Sequence, residues 1–251
     1  MRIHTISVAF VFAITMTIAI RPASAACSNA TLKGVYGYYH GRPAGGSSIY
    51  SVLGQFTADG AGNLTGGVWE ASLNGSISSG SFTGTYSIAA DCTGTLTFST
   101  EDLSPAHFNI ALDDMHNGFQ MIQSDNGFAQ PGFGFLQGKV TCGLTGKKET
   151  FATNFLGLLY PGPEIEAISG QVTLDGKGNI SGNETLSIGG TVSTVAVVGT
   201  YNEGGDCRGA AQITPAGFSL TNFDFVVVNG GKELLLIETD NNTLVAGTAQ
   251  Q

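Results

Sequence analysis

Positive charge is scarce. The 251-residue chain carries 10 Lys and Arg against 19 Asp and Glu, a formal net charge of −9 at pH 7. A phosphate backbone is gripped by clustered Lys and Arg, so this composition excludes nucleic acid as a partner. The acidic excess serves solubility. Charge of either sign is thin, at 12% of residues, too little to clothe a set of surface helices, and helical periodicity is almost absent beyond residue 25. Catalytic signatures are missing: there is no Gly-x-Ser-x-Gly elbow, no His-Glu-x-x-His and no phosphate loop. There is no Cys-x-x-Cys and no His close to a cysteine, so neither a metal nor a cofactor is expected.

Long apolar runs are also few. Ile6 to Ile20 is apolar apart from Ser7, Thr15 and Thr17, but it is short of the ~20 residues a membrane span needs. Arg21 and Pro22 interrupt it, and Ala23-Ser24-Ala25 offers a small-residue cleavage site. Residues 1–25 therefore read as a secretory signal peptide, which places the mature chain in the periplasm or outside the cell, with no membrane span. Cys27 follows Ser24-Ala25-Ala26, which lacks the bulky apolar residue of a lipoprotein signal, so a disulfide role is preferred over lipidation.

What is present is a duplication. Gly84-Thr85-Tyr86 with Asp91-Cys92 returns as Gly199-Thr200-Tyr201 with Asp206-Cys207, an offset of 115 that Cys27 and Cys142 share. Two repeats follow, 26–140 and 141–251. Within each, the two cysteines stand 65 residues apart, which favours Cys27–Cys92 and Cys142–Cys207 among the three possible pairings.

The 37 glycines, together with Asn-Gly and Asp-Gly dipeptides, break the chain into short apolar alternations, the pattern of an all-β protein. Asp59 and Asp175 each open an Asp-Gly-x-Gly-Asn run, read as a tight hairpin rather than a calcium loop, which needs more carboxylates. The alternation predicts eight strands per repeat: near 33–41, 50–58, 63–73, 82–89, 93–100, 106–113, 118–124 and 128–140, then 149–160, 165–174, 179–188, 192–202, 208–214, 218–228, 232–239 and 243–249. Short connections make neighbours antiparallel. Closing each meander removes its two edges, so the expected fold is two tandem antiparallel eight-stranded barrels, with β-sandwiches as the alternative.

The residues Cys27, Gly54 to Gly66, Gly84 to Tyr86, Asp91 to Leu96 and Asp125 to Gly127 form a pattern that resembles a group of secreted bacterial β-repeat proteins of uncharacterised function. The second repeat departs from it at Gln171 to Leu174 and Arg208 to Ala210. In architecture the chain is similar to lipocalin-like and allene oxide cyclase-like barrels. Their diagnostic residues are not recognisable here, and no site is carried over.

The two repeats differ in chemistry. His40, His107, His116 and Trp69 all lie in the first, as do Tyr36, Tyr38, Tyr39 and Tyr50, whereas the second opens on Phe151, Phe155, Leu158 and Leu159. The first repeat is thus the candidate for a cavity and the second reads as the better filled. Alternation sets Tyr36, Tyr38 and His40 on one face of a strand and puts Trp69 and Glu70 on opposite faces of another. His107 and Glu101 flank a connection near the same rim. Tyr36, Tyr38, His40, Trp69, Glu70 and His107 are the candidate ligand-binding residues, with half-buried aromatics and solvated histidines as the plainer reading. The paired carboxylates Glu101-Asp102 and Asp113-Asp114 fall at strand ends, where solvated turns account for them. The expected function is non-catalytic binding of a small apolar ligand in the first repeat. The alternatives are a cofactor-free isomerase or cyclase using His40, Glu70 or His107 as acid or base, and a structural or surface-interaction protein.

Overall fold

The computed structural model describes residues 26–41, 50–113, 115, 117–128, 130–138, 142–162 and 164–251. The leader expected over 1–25 lies outside these residues, as do Asp114, His116 and positions 139–141 of the expected boundary. Among the described residues no helix is long and apolar enough to cross a membrane.

The fold is all-β. The first eight strands are β1 (Lys33–Gly41), β2 (Tyr50–Asp59), β3 (Asn63–Leu73), β4 (Ser76–Ile88), β5 (Thr93–Ser99), β6 (Ala106–Leu112), β7 (Gly118–Gln123) and β8 (Pro131–Leu136). The next eight are β9 (Glu149–Leu159), β10 (Glu164–Leu174), β11 (Asn179–Ile188), β12 (Thr191–Glu203), β13 (Arg208–Pro215), β14 (Thr221–Val228), β15 (Glu233–Glu238) and β16 (Thr243–Gln250). Each set closes into an antiparallel barrel in sequence order, β8 pairing with β1 and β16 with β9. The sandwich alternative is set aside. β4 begins at Ser76, earlier than the alternation predicts, because Asn74-Gly75 makes a tight turn with both residues at positive φ.

The duplicated motif closes one end of each barrel. Cys27–Cys92 and Cys142–Cys207 are both bonded, each spanning 65 residues. Such bonds belong to an oxidising compartment. Tyr86 donates its hydroxyl to the Leu32 carbonyl at 2.7 Å, and Tyr201 does the same to Leu144 at 3.2 Å. Leu32 and Leu144 are buried as plugs. The Asp-Gly-x-Gly-Asn runs are turns held by their own aspartates. Asp59 Oδ1 accepts from the amides of Ala61, Gly62 and Asn63 at 2.6–3.0 Å, and Asp175 Oδ1 accepts from those of Lys177 and Asn179 at 2.7 and 2.9 Å. The Asn63 and Asn179 side-chain amides, which donate to the other oxygen at 2.7 and 2.6 Å, and then these backbone bonds hold both carboxyls down near 2.

A third apolar cluster joins the barrels. Leu53 from β2 meets Val226 and Val228 of β14 and Leu235 and Ile237 of β15, with Tyr39, Phe133 and Phe135 packed against them. β14 and β15 therefore bury both faces, one into their own barrel and one against the neighbour. That is why their sequences run almost continuously apolar instead of alternating. At Gly37, on the outward face of β1, a Cβ would stand 2.5 Å from Val226 Cγ1 and 2.6 Å from Val228 Cγ1. Only glycine allows this approach.

Candidate functional site

The sequence candidates separate. Tyr36, Tyr38, His40 and Trp69 point into the first barrel, while Glu70 and His107 point out of it. Tyr36 and Tyr38 are 1% exposed and packed in rings. Tyr38 lies 5.7 Å from Phe56, 6.0 Å from Phe82 and 5.2 Å from Phe98, centroid to centroid. His40 stands 5.0 Å from Phe108 and 5.8 Å from Tyr50, and burial lowers its pKa to about 3, so it is neutral. Its Nδ1 and the Trp69 Nε1 are buried without a hydrogen-bond partner. These rings pack against one another inside the barrel.

Glu70 faces the second barrel beside Asp224 and Arg208, and burial with its hydrogen bond to Asp224 pushes it up to about 8. His107 is exposed on β6. Its Nδ1 lies 2.7 Å from Asp125 Oδ1, and its backbone amide donates to Asp125 Oδ2 at 2.8 Å. Glu101 and Asp102 are exposed in a turn, and Asp113 accepts the Asn117 amide at 2.9 Å.

Strand register shows what replaces the aromatics in the second repeat. In the first barrel Tyr38 pairs with Gly54 and Gly54 with Trp69. In the second, Thr153 pairs with Gly170 and Gly170 with Glu184. The two largest rings of one interior thus correspond to a threonine and a glutamate in the other. Likewise Tyr50 and Gln123, hydrogen bonded to each other in the first barrel, correspond to Glu166 and Glu238 in the second.

The consequence is a chamber. A cavity of about 210 Å³ lies within the second barrel, walled by Phe155, Ile168, Leu186, Ile213 and Phe223 and reaching exposed Phe218 and Ser219 at its mouth. Glu166, Glu184 and Glu238 line it, each 7% exposed or less. Glu184 accepts a hydrogen bond from the Thr153 hydroxyl at 3.1 Å. Burial raises its pKa, partly offset by that bond. Glu166 is raised by burial alone, and no described side chain or amide hydrogen bonds its carboxyl. Glu238 is pushed up to about 8 by burial, then by Glu166 and Asp240 nearby. No Lys, Arg or His lines the chamber. Among the described residues, no group of three His, Cys, Asp or Glu could hold a metal ion.

These three glutamates escaped the sequence reading, although the signal was there. Ile168, Val172 and Leu174 fix the inward phase of β10, and Glu166 shares it. Ile180 and Leu186 do the same for Glu184, as Leu234 and Leu236 do for Glu238.

The sequence matches no family model and no curated protein. A solved structure from Nostoc punctiforme, described as a protein with unknown function from the DUF3598 family, is similar over 88% of this chain and 96% of its own. Identity is 11% and the TM-score 0.21. A likeness that loose carries no argument about activity. The site has to be read from its own chemistry.

Proposed function

We propose that this is a secreted, small-molecule-binding protein whose site is the interior of the second barrel. The observation that carries the reading is that Glu166, Glu184 and Glu238, each 7% exposed or less, line one cavity with apolar walls. Apolar walls with a few polar groups are the usual make-up of ligand sites. At about 210 Å³ the chamber is below the ~300–1,000 Å³ of pockets that hold drug-sized molecules, so its ligand is small. The first barrel serves as scaffold in this reading, its interior taken up by Tyr36, Tyr38 and Trp69.

Native mass spectrometry of the oxidised chain from its own host tests this. A co-purifying small molecule that is lost on Ile213→Trp, which blocks the chamber wall, supports the site. Retention of that molecule by the variant moves the site elsewhere and refutes it.

The raised pKa of Glu238 favours a second reading, a cofactor-free isomerase. A carboxyl still protonated near neutrality in an apolar chamber is suited to general-acid work. Turnover of the co-purified molecule that vanishes in Glu238→Gln would select this reading over simple binding.

A further inference from the structure

The three chamber carboxyls fall into two groups. Glu166 and Glu238 face the same end, near enough for Glu166 to act on the Glu238 carboxyl. The wall between them is made by Gly157, opposite Glu166, and its partner Val245. Glu184 stands apart. It pairs with Gly170, four residues along β10 from Glu166, or roughly 13 Å of strand at ~3.3 Å per residue. Ile168 and Leu186 occupy the interval, and Phe155, Ile213 and Phe223 enclose it. The chamber therefore has a carboxyl pole at each end and an apolar waist. No single ion can meet both poles, in keeping with the lack of a metal-competent group among the described residues.

Resting on the reading of this chamber as a small-molecule site, we propose that its ligand is a short α,ω-diamine, with one ammonium at Glu184 and Thr153 and the other between Glu166 and Glu238. An ammonium beside a carboxyl favours that carboxyl's ionised form, so each end of the diamine draws out the charge it meets. Glu184, which accepts the Thr153 hydroxyl, meets one end. Glu166 and Glu238 meet the other, with Asp240 the further acid beside Glu238. No basic residue lines the chamber to compete with an ammonium. The methylene chain of the diamine lies along the Ile168–Leu186 waist, where its burial is favourable.

Isothermal titration of the oxidised full chain with 1,5-diaminopentane, n-pentylamine, 1,5-pentanediol and 1-hexanol tests the assignment. The diamine should bind at least about tenfold more tightly than the monoamine, the scale of one charged hydrogen bond. Glu184→Gln should bring the diamine down to the level of the monoamine in wild type. Circular dichroism and a urea midpoint establish that the variant is folded, and the probe series on wild type stands without it. Pentylamine equalling the diamine would overturn the two-pole assignment. Diol or hexanol binding as tightly as the diamine would keep the chamber as a binding site and overturn its charge preference. Silence from all four probes would overturn both readings.

Discussion

Glu238→Gln should stabilise the ligand-free protein, and by an amount that depends on pH. In the folded chain Glu238 keeps its proton up to about pH 8, against 4.5 for an unperturbed glutamate. The folded state therefore binds a proton that the unfolded state releases across this window. Stability attributable to Glu238 is complete below about 4.5 and falls as pH rises towards 8. At pH 7 the unfolded carboxyl has gained about 3 kcal/mol by ionising, at ~1.4 kcal/mol per pH unit, while the folded one has not. Glutamine has the same shape and cannot ionise, so the variant should regain most of that amount. For a chain of this size the gain corresponds to roughly 6–12 °C in Tm. Urea unfolding of both proteins at intervals from pH 4.5 to 8 reads the effect directly. The wild-type free energy should decline with pH more steeply than that of the variant, and the two curves should converge at the acid end. Asp59 and Asp175 titrate below this window and do not confuse it. Glu70 contributes a slope of the same sign to both proteins and cancels in the difference. Parallel curves would show that Glu238 is not held protonated, and the electrostatic account of the chamber would fall.

Other outcomes follow from the packing. Gly37→Val drives a side chain into Val226 and Val228 and should cost about 1–3 kcal/mol; proteolysis near residue 140 should speed up, and an unchanged cleavage rate would count against the docked interface. Thr153→Tyr with Glu184→Trp transplants the first barrel's filling into the second. It should raise the urea midpoint and abolish probe binding, whereas retained binding would place the site outside the chamber. Replacing Cys27 and Cys92 together with serine opens a closed loop of 65 residues and should cost about 4 kcal/mol in the chain-entropy account, read by denaturant unfolding under non-reducing conditions. Glu70→Gln should flatten the pH dependence of barrel docking, seen as a proteolysis rate that no longer rises between pH 5 and 8.

Much of the fold was legible because it is written twice. A fixed offset between Tyr86 and Tyr201, and between the cysteines, paired the sulfurs and divided the chain in two, and alternation set the strand count. Asp-Gly and Asn-Gly turns located the hairpins to within a few residues. Alternation also put Trp69 and Glu70 on opposite faces, as found. The candidate site was harder to see. Tyr36, Tyr38 and Trp69 attract attention as ligand furniture, yet an eight-stranded barrel is just wide enough to be filled by such rings. Among the described residues these rings pack on one another. The room lies where Thr153 and Glu184 take their places, an exchange the offset of 115 already implies, whereas that of Tyr50 for Glu166, 116 apart, emerges only when strand register aligns the two copies. The docking of the barrels was invisible for a related reason. Gly37 contributes by having no side chain, and the outward residues Leu53, Leu235 and Ile237 look like any other apolar strand positions until their partners are known.

β15 is a party wall. Its even residues, Leu234, Leu236 and Glu238, point into the second barrel, Glu238 reaching the chamber, and its odd ones, Leu235 and Ile237, lean on the adjoining barrel. One rigid ribbon thus serves two rooms, and neither can be remodelled alone. Any shift in how the halves lean together turns Glu238 with it, so a carboxyl of the chamber and the seating of the neighbour are settled by the same six residues.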